Sequence, residues 1–458
     1  MNYGIWSLVP IVVVVILALR TKRTLEPLFV GTCLVYVITS GWGCVTAWID
    51  VMFSVVTNEQ NQWVFMVCAL FGSLIALVGA AHGTLGFAKW LDRICHGPKT
   101  TMLVAWIMGI VIFVDDYLNI MTISTCMKKL TDKNKIPRET ISYIIDSTGA
   151  PVCALLPFST WAIFFSNLFY SEHGVPQLGL GDPIQTFCHV IPYVFYAIAA
   201  VILVPLFCYG VLPKMGRMKS AYQRIRETGE VYSPGSKVLN LEEEQEDRSV
   251  GPNMTGNLWD FLIPICVLSA WAIIMEDLLQ AVIAAIAACF VLYIPRGKMT
   301  VNKYCDLVMH GFCNMIPTVA IIFFAFFMQK AMMDIGIANY AIEIIEPYME
   351  SSLFPMIVFL AVASLTFSTG SCWGVMAVVS PIMLPMAVSL DANLLLTMGA
   401  IVSGAVLGSH TCFYSDATVL TSSCCKIQNM DHALSQLPYA IIATIFSIVG
   451  YLVCGVVL

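Results

Sequence analysis

At 458 residues, 59% hydrophobic and only 11% charged, the chain is far more apolar than a soluble domain, whose charged share is about 25%. The net charge of −6 comes with no basic face or aromatic–basic motif, which excludes a nucleic-acid binder. Composition therefore predicts an all-α polytopic membrane protein, its length spent on spans rather than on a water-soluble core. Seventeen cysteines lie scattered in apolar runs without a C-x-x-C, as expected of buried thiols rather than of a metal or disulfide framework. Seven histidines, none paired at H-x-x-x-H, speak against a membrane metalloenzyme.

Lys and Arg favour the cytoplasmic side, and that rule orders the chain. The first apolar run, Trp6–Leu19, is followed by Arg20, Lys22 and Arg23. That is the reverse of a cleaved signal, so the N-terminus is expected outside. A span over about Leu28–Ala47 leads to an outer loop around Asp50–Gln62, and residues 1–62 form the N-terminal spans. Trp63–Ala81 returns inward to an amphipathic piece, Thr84–Cys95. Thr101–Cys126 has Lys99 before it and Lys128, Lys129, Lys133, Lys135 and Arg138 after it. Both ends read as cytoplasmic, so this stretch is expected to enter and return as a re-entrant hairpin, with a single rule-breaking span as the alternative.

Ile141–Phe169 is interrupted at Asp146–Pro151 and at Pro157–Trp161, as a discontinuous helix would be. An outer loop, Ser171–Cys188, precedes the span Val190–Leu212. Residues 214–257 are a polar linker, basic then acidic (Glu242, Glu243, Glu244, Glu246, Asp247), expected in the cytoplasm. Leu258–Met275 and Leu278–Ile294, joined at Glu276-Asp277, occupy a connecting region, 258–304. Cys305–Gln329 runs out to an acidic amphipathic stretch, Asp334–Glu350. Leu353–Leu390, broken at Ser368–Ser371, has no basic end and is expected to be a second hairpin, entering from outside. Leu394–Ser423, interrupted at Gly404–Asp416, and Pro438–Leu458 complete the chain.

The halves 63–213 and 305–458 superpose in sequence at an offset of about 250 residues. Gly86 falls on Gly336, Thr101 onward on Leu353 onward, and Pro157–Thr160 near Phe413–Asp416. One half opens inside and the other outside, the pattern of an inverted-repeat transporter with broken helices at mid-membrane.

Four polar clusters lie in these breaks. Asp115, Asp116 and Asn119 cost roughly 2.5–3.5 kcal/mol per carboxylate in hydrocarbon, which marks an ion or substrate site. Asp146, Ser147 and Thr148 offer hard oxygens suited to Na⁺, although Asp146 could as well cap a helix. Ser159, Thr160 and Trp161 have as counterparts Ser368, Thr369, Ser371 and Trp373, which offer hydroxyls and aromatic walls or simply helix packing. His410, Tyr414, Ser415, Asp416 and Thr418 supply the second half's deep carboxylate and a histidine that could carry a proton or pack neutrally.

The runs Asp115-Asp116-Tyr117-Leu118-Asn119 and Asp146–Val152, with Ser-Asp-x-Thr at Ser415–Thr418, resemble the NhaC family of sodium/proton antiporters. The resemblance covers essentially everything downstream of the first spans. It implies the ion-transporter superfamily fold, an inverted repeat with two re-entrant hairpins, scaffold and transport domains, usually as a homodimer. It also implies membership of a group that contains cation/proton exchangers and exchangers of organic acids. The family's second-half motif reads Gly-Asp-x-x-Ser-Pro-x-Ser-Asp-Thr-Thr. Gly408, Ser415, Asp416 and Thr418 match it, while Ser409, Cys412 and Phe413 replace its Asp, Ser and Pro. One acidic ligand is lost and bulk is gained. The expected function is Na⁺/H⁺ antiport by alternating access in the cell (inner) membrane, with Na⁺ or H⁺ as coupling ion and no organic cofactor. The alternative is Na⁺- or H⁺-coupled transport of a small organic acid or amino acid. The metal-type ligands would be Asp115, Asp116, Asn119, Asp146, Ser147, Thr148, Ser415, Asp416 and Thr418.

Overall fold

The computed structural model describes residues 3–21, 23–113, 115–157, 159–172, 174–240, 256–275, 277–337, 340, 343 and 350–458. These residues contain helices and turns but no strand, as hydrocarbon requires of a spanning chain that must satisfy its own backbone. Six of the helices are long and apolar enough to cross a bilayer, eight if two bent pairs each count as one span. The protein is all-α and polytopic, and its helices are broken.

In chain order the first helices are α1 (Val9–Thr21), α2 (Leu25–Ser40), α3 (Cys44–Thr57), α4 (Glu59–Ala80) and α5 (Gly83–Asp92). Then come α6 (Pro98–Val111), α7 (Asp116–Lys133), α8 (Arg138–Asp146), α9 (Ala150–Leu155), α10 (Thr160–Tyr170), α11 (Pro183–Val190) and α12 (Phe195–Tyr209). The linker holds α13 (Gly216–Thr228), followed by α14 (Trp259–Met275) and α15 (Leu278–Tyr293). The remainder is α16 (Val301–Asn314), α17 (Ile316–Asp334), α18 (Phe354–Thr369), α19 (Cys372–Ser389), α20 (Leu394–Thr411), α21 (Asp416–Cys424) and α22 (Asn429–Val457).

Several boundaries differ from the sequence expectation. The span placed at Leu28–Ala47 is part of a 33-residue run, Leu25–Thr57, and the loop placed at Asp50–Gln62 is almost entirely helix. A single 3-10 turn at Gly41–Gly43 and an Asn58 cap, accepting from the Asn61 N–H, suffice for the turns there. The run expected from Cys305 begins at Val301 and bends at Met315, where Pro317 lacks an N–H to continue the ladder. The loop Ser171–Cys188 contains the start of α11, which Asp182 caps. The acidic half of the linker and most of Asp334–Glu350 lie outside the described residues.

Contacts show where the ends of two consecutive helix pairs lie. At the start of α6, Lys99 Nζ reaches the Tyr209 carbonyl at 3.4 Å, and Met102 Sδ takes the Tyr222 hydroxyl of α13 at 3.7 Å. After α7 the chain returns to the same linker, the Arg138 N–H donating to the Val231 carbonyl at 2.9 Å. Residues 98–133 therefore enter and leave on the linker face. The pair α18–α19 closes elsewhere, with Ser351 Oγ donating to the Asp391 carbonyl at 3.1 Å. Helix α22 relates the two faces. Its start meets the linker, where the Gln428 N–H donates to Ser236 Oγ at 2.9 Å, and its end at Gly455 lies against Ser352. Its 29 residues extend for roughly 43 Å at 1.5 Å per residue, which exceeds a hydrocarbon core of about 30 Å. The ends of the pair α6–α7 and of the pair α18–α19 thus lie toward opposite ends of α22.

The linker helix α13 is tied to the helical body by charge. Arg224 grips Glu139 with two bonds of 2.8 and 2.9 Å, and the Glu139 side chain is 4% exposed. Removing one partner of a buried pair strands the other charge, at a cost of about 3–5 kcal/mol. Arg224→Ala is therefore expected to lower the thermal unfolding temperature clearly, and Arg224→Ala combined with Glu139→Gln to recover much of the loss. An unchanged transition in detergent would show that the linker is not anchored in this way.

Candidate functional site

The site is built from broken helices. Chain breaks at 112–115, 156–159, 370–371 and 412–415 leave α7, α10, α19 and α21 to begin inside the protein. Each beginning exposes N–H groups that need acceptors. Asp115 Oδ1 caps α7, accepting from the Tyr117 and Leu118 N–H groups at 3.0 and 3.1 Å. Ser159 caps α10 through the Ala162 N–H at 3.0 Å, Ser371 caps α19 and Ser415 caps α21. Glycine allows the tips to come close. A Cβ on Gly109 would collide with Thr148, and one on Gly370, which sits at φ +74°, would come within 2.6 Å of the Tyr414 ring.

The four beginnings meet a single cavity of about 760 Å³. On its polar side are Asp115, Asp116, Thr160, Ser371 and Asp416. Asp115 Oδ2 also accepts from Thr160 Oγ1 at 3.1 Å, which joins the first hairpin's tip to the break before α10. The Tyr117 hydroxyl donates to Asp416 Oδ2 in a short bond that links the two halves directly. Asp416 Oδ1 accepts the Ala417 N–H at 2.9 Å. Asp116 is 5% exposed, and its carboxylate makes no hydrogen bond with the described residues. The buried indole N–H of Trp161 lies beside it, also without a partner. Aromatic walls are formed by Trp63, Phe113, Phe164, Phe326 and Trp373. Glu59, Asn61 and Asp277 also line the cavity, and Asp277 accepts the Trp63 indole N–H at 3.1 Å. Five lining residues carry carboxylates, and among the described lining residues none is Lys, Arg or His.

The other residues singled out in the sequence lie behind this wall. The Asn119 amide donates to the carbonyls of Gly109, Ile112 and Thr148 at 2.7, 2.8 and 3.2 Å, tying the hairpin tip to the α8–α9 break. Its Oδ1 has no partner. Thr148 Oγ1 returns to the Ile144 carbonyl at 2.8 Å. Ser159 Oγ donates to the Cys153 carbonyl, and the Trp161 ring lies tilted by 58° with its centre 5.1 Å from that of Trp373. Ser368 Oγ bonds back to the Ser364 carbonyl, and Thr369 lines a neighbouring, mostly apolar cavity of about 220 Å³. The Tyr414 hydroxyl donates to the Phe367 and Ser368 carbonyls at 3.0 and 2.6 Å, holding the second hairpin's tip. Ser415 and Thr418 both donate to the Ser409 carbonyl, at 2.7 and 3.3 Å, repairing the break before α21.

Asp146 belongs to a second, fully buried cluster outside the cavity. Its Oδ2 lies 3.1 Å from His432 Nε2, 2.8 Å from Gln436 Nε2 and 4.0 Å from His410 Nε2. His410 Nδ1 meets the Tyr196 hydroxyl at 2.8 Å and its Nε2 meets Ser147 Oγ at 3.3 Å. His432, Gln436 and Tyr196 were missed in the sequence, as were Tyr117, Glu59 and Asp277 in the cavity. His432 and Gln436 stand at i and i+4, one polar stripe on a helix. They precede Pro438, where the last span was expected to begin, and that hid the signal.

The Na⁺/H⁺ antiporter family description matches residues 165–456. That range includes Asp416 but lies downstream of Asp115 and Asp116. An uncharacterized protein of Haemophilus influenzae is 26% identical over 99% of this chain and 91% of its own length. A malate-2H(+)/Na(+)-lactate antiporter of Bacillus subtilis is 31% identical over 25% of each chain. An uncharacterized Na(+)/H(+) antiporter of Haemophilus influenzae is 31% identical over 25% of this chain and 24% of its own. With its membrane-spanning helices and broken-helix cavity, the chain belongs to the Na⁺/H⁺ antiporter family and is a secondary active antiporter.

Proposed function

We propose that the cavity floor is the exchange site and that Asp116, with Asp416 and Asp115 beside it, holds Na⁺ or protons in turn. The observation that carries this reading is a cavity with carboxylates from both halves of the chain and, among its described lining residues, no basic one. The three inner carboxylates act on one another electrostatically, and a bound cation or proton offsets their mutual repulsion. A cation and a proton that need the same oxygens exclude each other, which is the requirement for exchange. The Thr160 and Ser371 hydroxyls supply further oxygen ligands, and Trp373 closes the wall. Asn119, Ser147, Thr148, Ser159, Trp161, Ser368, Thr369, His410, Tyr414, Ser415 and Thr418 shape the breaks instead.

In this reading residues 63–213 and 305–458 are the two inverted repeats, with 258–304 joining them. The basic linker lies in the cytoplasm and the N-terminus outside, so the cavity, whose rim carries Glu59 and Asp277, faces outward. Alternating access moves the broken helices against the remaining spans. The assembly is a homodimer, which mass measurement of the purified protein in detergent checks. Exchange of organic acids is the less favoured reading. Such an anion would meet five carboxylates and no counter-charge, a costly placement in low dielectric.

The test uses the full chain in proteoliposomes with an internal pH dye. An inward Na⁺ gradient is expected to drive protons out, with saturation. Sodium that moves no protons, while malate or lactate does, would reject the assignment.

A further inference from the structure

We infer that the same cavity takes small organic ammonium ions, quaternary ones included, as cargo alongside Na⁺. This rests on the cation-exchange reading of the site and extends it to a second chemical class. A bare Na⁺ needs a cage of five or six oxygens and no more. The cavity here is about 760 Å³, within the size range of small-molecule sites.

The lining chemistry selects the class. Carboxylates with no basic residue among the described lining residues reject anions, and the lining also carries aromatic rings. Trp373 and Phe164 meet edge to face with ring centres 4.7 Å apart, and Trp373 also leans on Trp161. Trp63 sits 6.2 Å from Tyr117 across the lining. Aromatic faces attract weakly hydrated organic cations, and aromatic cages are the usual solution for quaternary ammonium groups. A strongly hydrated Na⁺ gains little from such walls. Asp116 supplies the independent pointer to a ligand. It is 5% exposed, it faces the cavity, and its carboxylate accepts no hydrogen bond from the described residues. A buried, unpaired carboxylate is expensive, and an ammonium group bound beside it removes that cost.

Tetramethylammonium is the probe, because it is permanently charged and cannot cross the bilayer as a free amine. With the full chain in proteoliposomes, an inward tetramethylammonium gradient is expected to drive protons out. Its half-maximal concentration should lie within about tenfold of that for Na⁺. Trp373→Leu, and independently Phe164→Leu, should shift the ratio of the two half-maximal concentrations at least tenfold toward Na⁺, since each removes part of the aromatic wall. The ratio is read within one preparation, so partial loss of folded protein does not affect it. Sodium that drives protons while tetramethylammonium neither drives nor inhibits exchange at a hundredfold excess would overturn the inference and leave the Na⁺ reading intact. Tetramethylammonium that acts while Na⁺ does not would overturn the Na⁺ reading alone. Ratios unmoved by both substitutions would show that the aromatic wall recognises nothing.

Discussion

Asp116→Asn is expected to lower Na⁺-driven proton movement at least about a hundredfold, worth some 2.7 kcal/mol, while thermal stability holds or rises. The two adjacent acids are unequal. Asp115 spends both oxygens on protein, capping α7 through two N–H groups and accepting from Thr160. Asp116 spends neither on the described residues. A buried carboxylate with no hydrogen bond is a charge kept for something other than folding, and its amide relieves the desolvation cost. Asp115→Ala should show the opposite balance. It removes an N-cap worth about 0.5–2 kcal/mol, so its main effect is a lower unfolding temperature. Proton flux under a Na⁺ gradient, measured beside a thermal melt for both variants, separates the roles. Full exchange in Asp116→Asn would remove that carboxylate from the site.

Asp146→Ala is expected to be the most destabilising single carboxylate change, by about 3–5 kcal/mol. The carboxylate can only accept, so His432 Nε2 and Gln436 Nε2 must donate to it. Taking it away strands the buried His432 donor, at about 1–3 kcal/mol, and leaves the Gln436 amide only the His410 carbonyl. His432 Nδ1 and Gln436 Oε1 already lack partners, so the cluster has no slack to absorb the loss. A fall in unfolding temperature on the order of 10 °C follows. A double-mutant cycle with His432→Ala should recover part of it, because contacting residues couple by about 0.5–3 kcal/mol. Wild-type stability in Asp146→Ala, with Na⁺ dependence lost instead, would move Asp146 back to the ion-ligand role that its sequence neighbourhood suggested.

These two predictions separate residues that look alike in the sequence. Asp115, Asp116, Asp146 and Asp416 are all carboxylates in apolar runs, and each is costly there on the same grounds. Their breaks were legible, because Pro, Gly and hydroxyl residues interrupt helices for local reasons. The break between α6 and α7 was legible as well, since Asp115 and Asp116 interrupt an apolar run there. The run Leu25–Thr57 was not. It is largely apolar, its only charges being Glu26 and Asp50, and it carries no basic residue to mark its end, so the charge rule had nothing to act on. The roles of His410 and Asp146 were equally hidden, because they depend on His432 and Gln436, almost three hundred positions from Asp146 along the chain.

What the chain's own order of residues determined is the class: helical, membrane-spanning, broken at set places, with a few costly acids kept in hydrocarbon. Those features follow from local energetics, namely transfer cost, missing N–H groups and caps. Only the tertiary structure decided which acid faces open space and which is consumed by partners. That choice depends on what the neighbouring helices present. Tyr117 donates to Asp416, Thr160 to Asp115, and His432 with Gln436 to Asp146, while no described residue donates to Asp116. A buried charge is structural or functional according to whether its oxygens are already spoken for, and that is a property of packing.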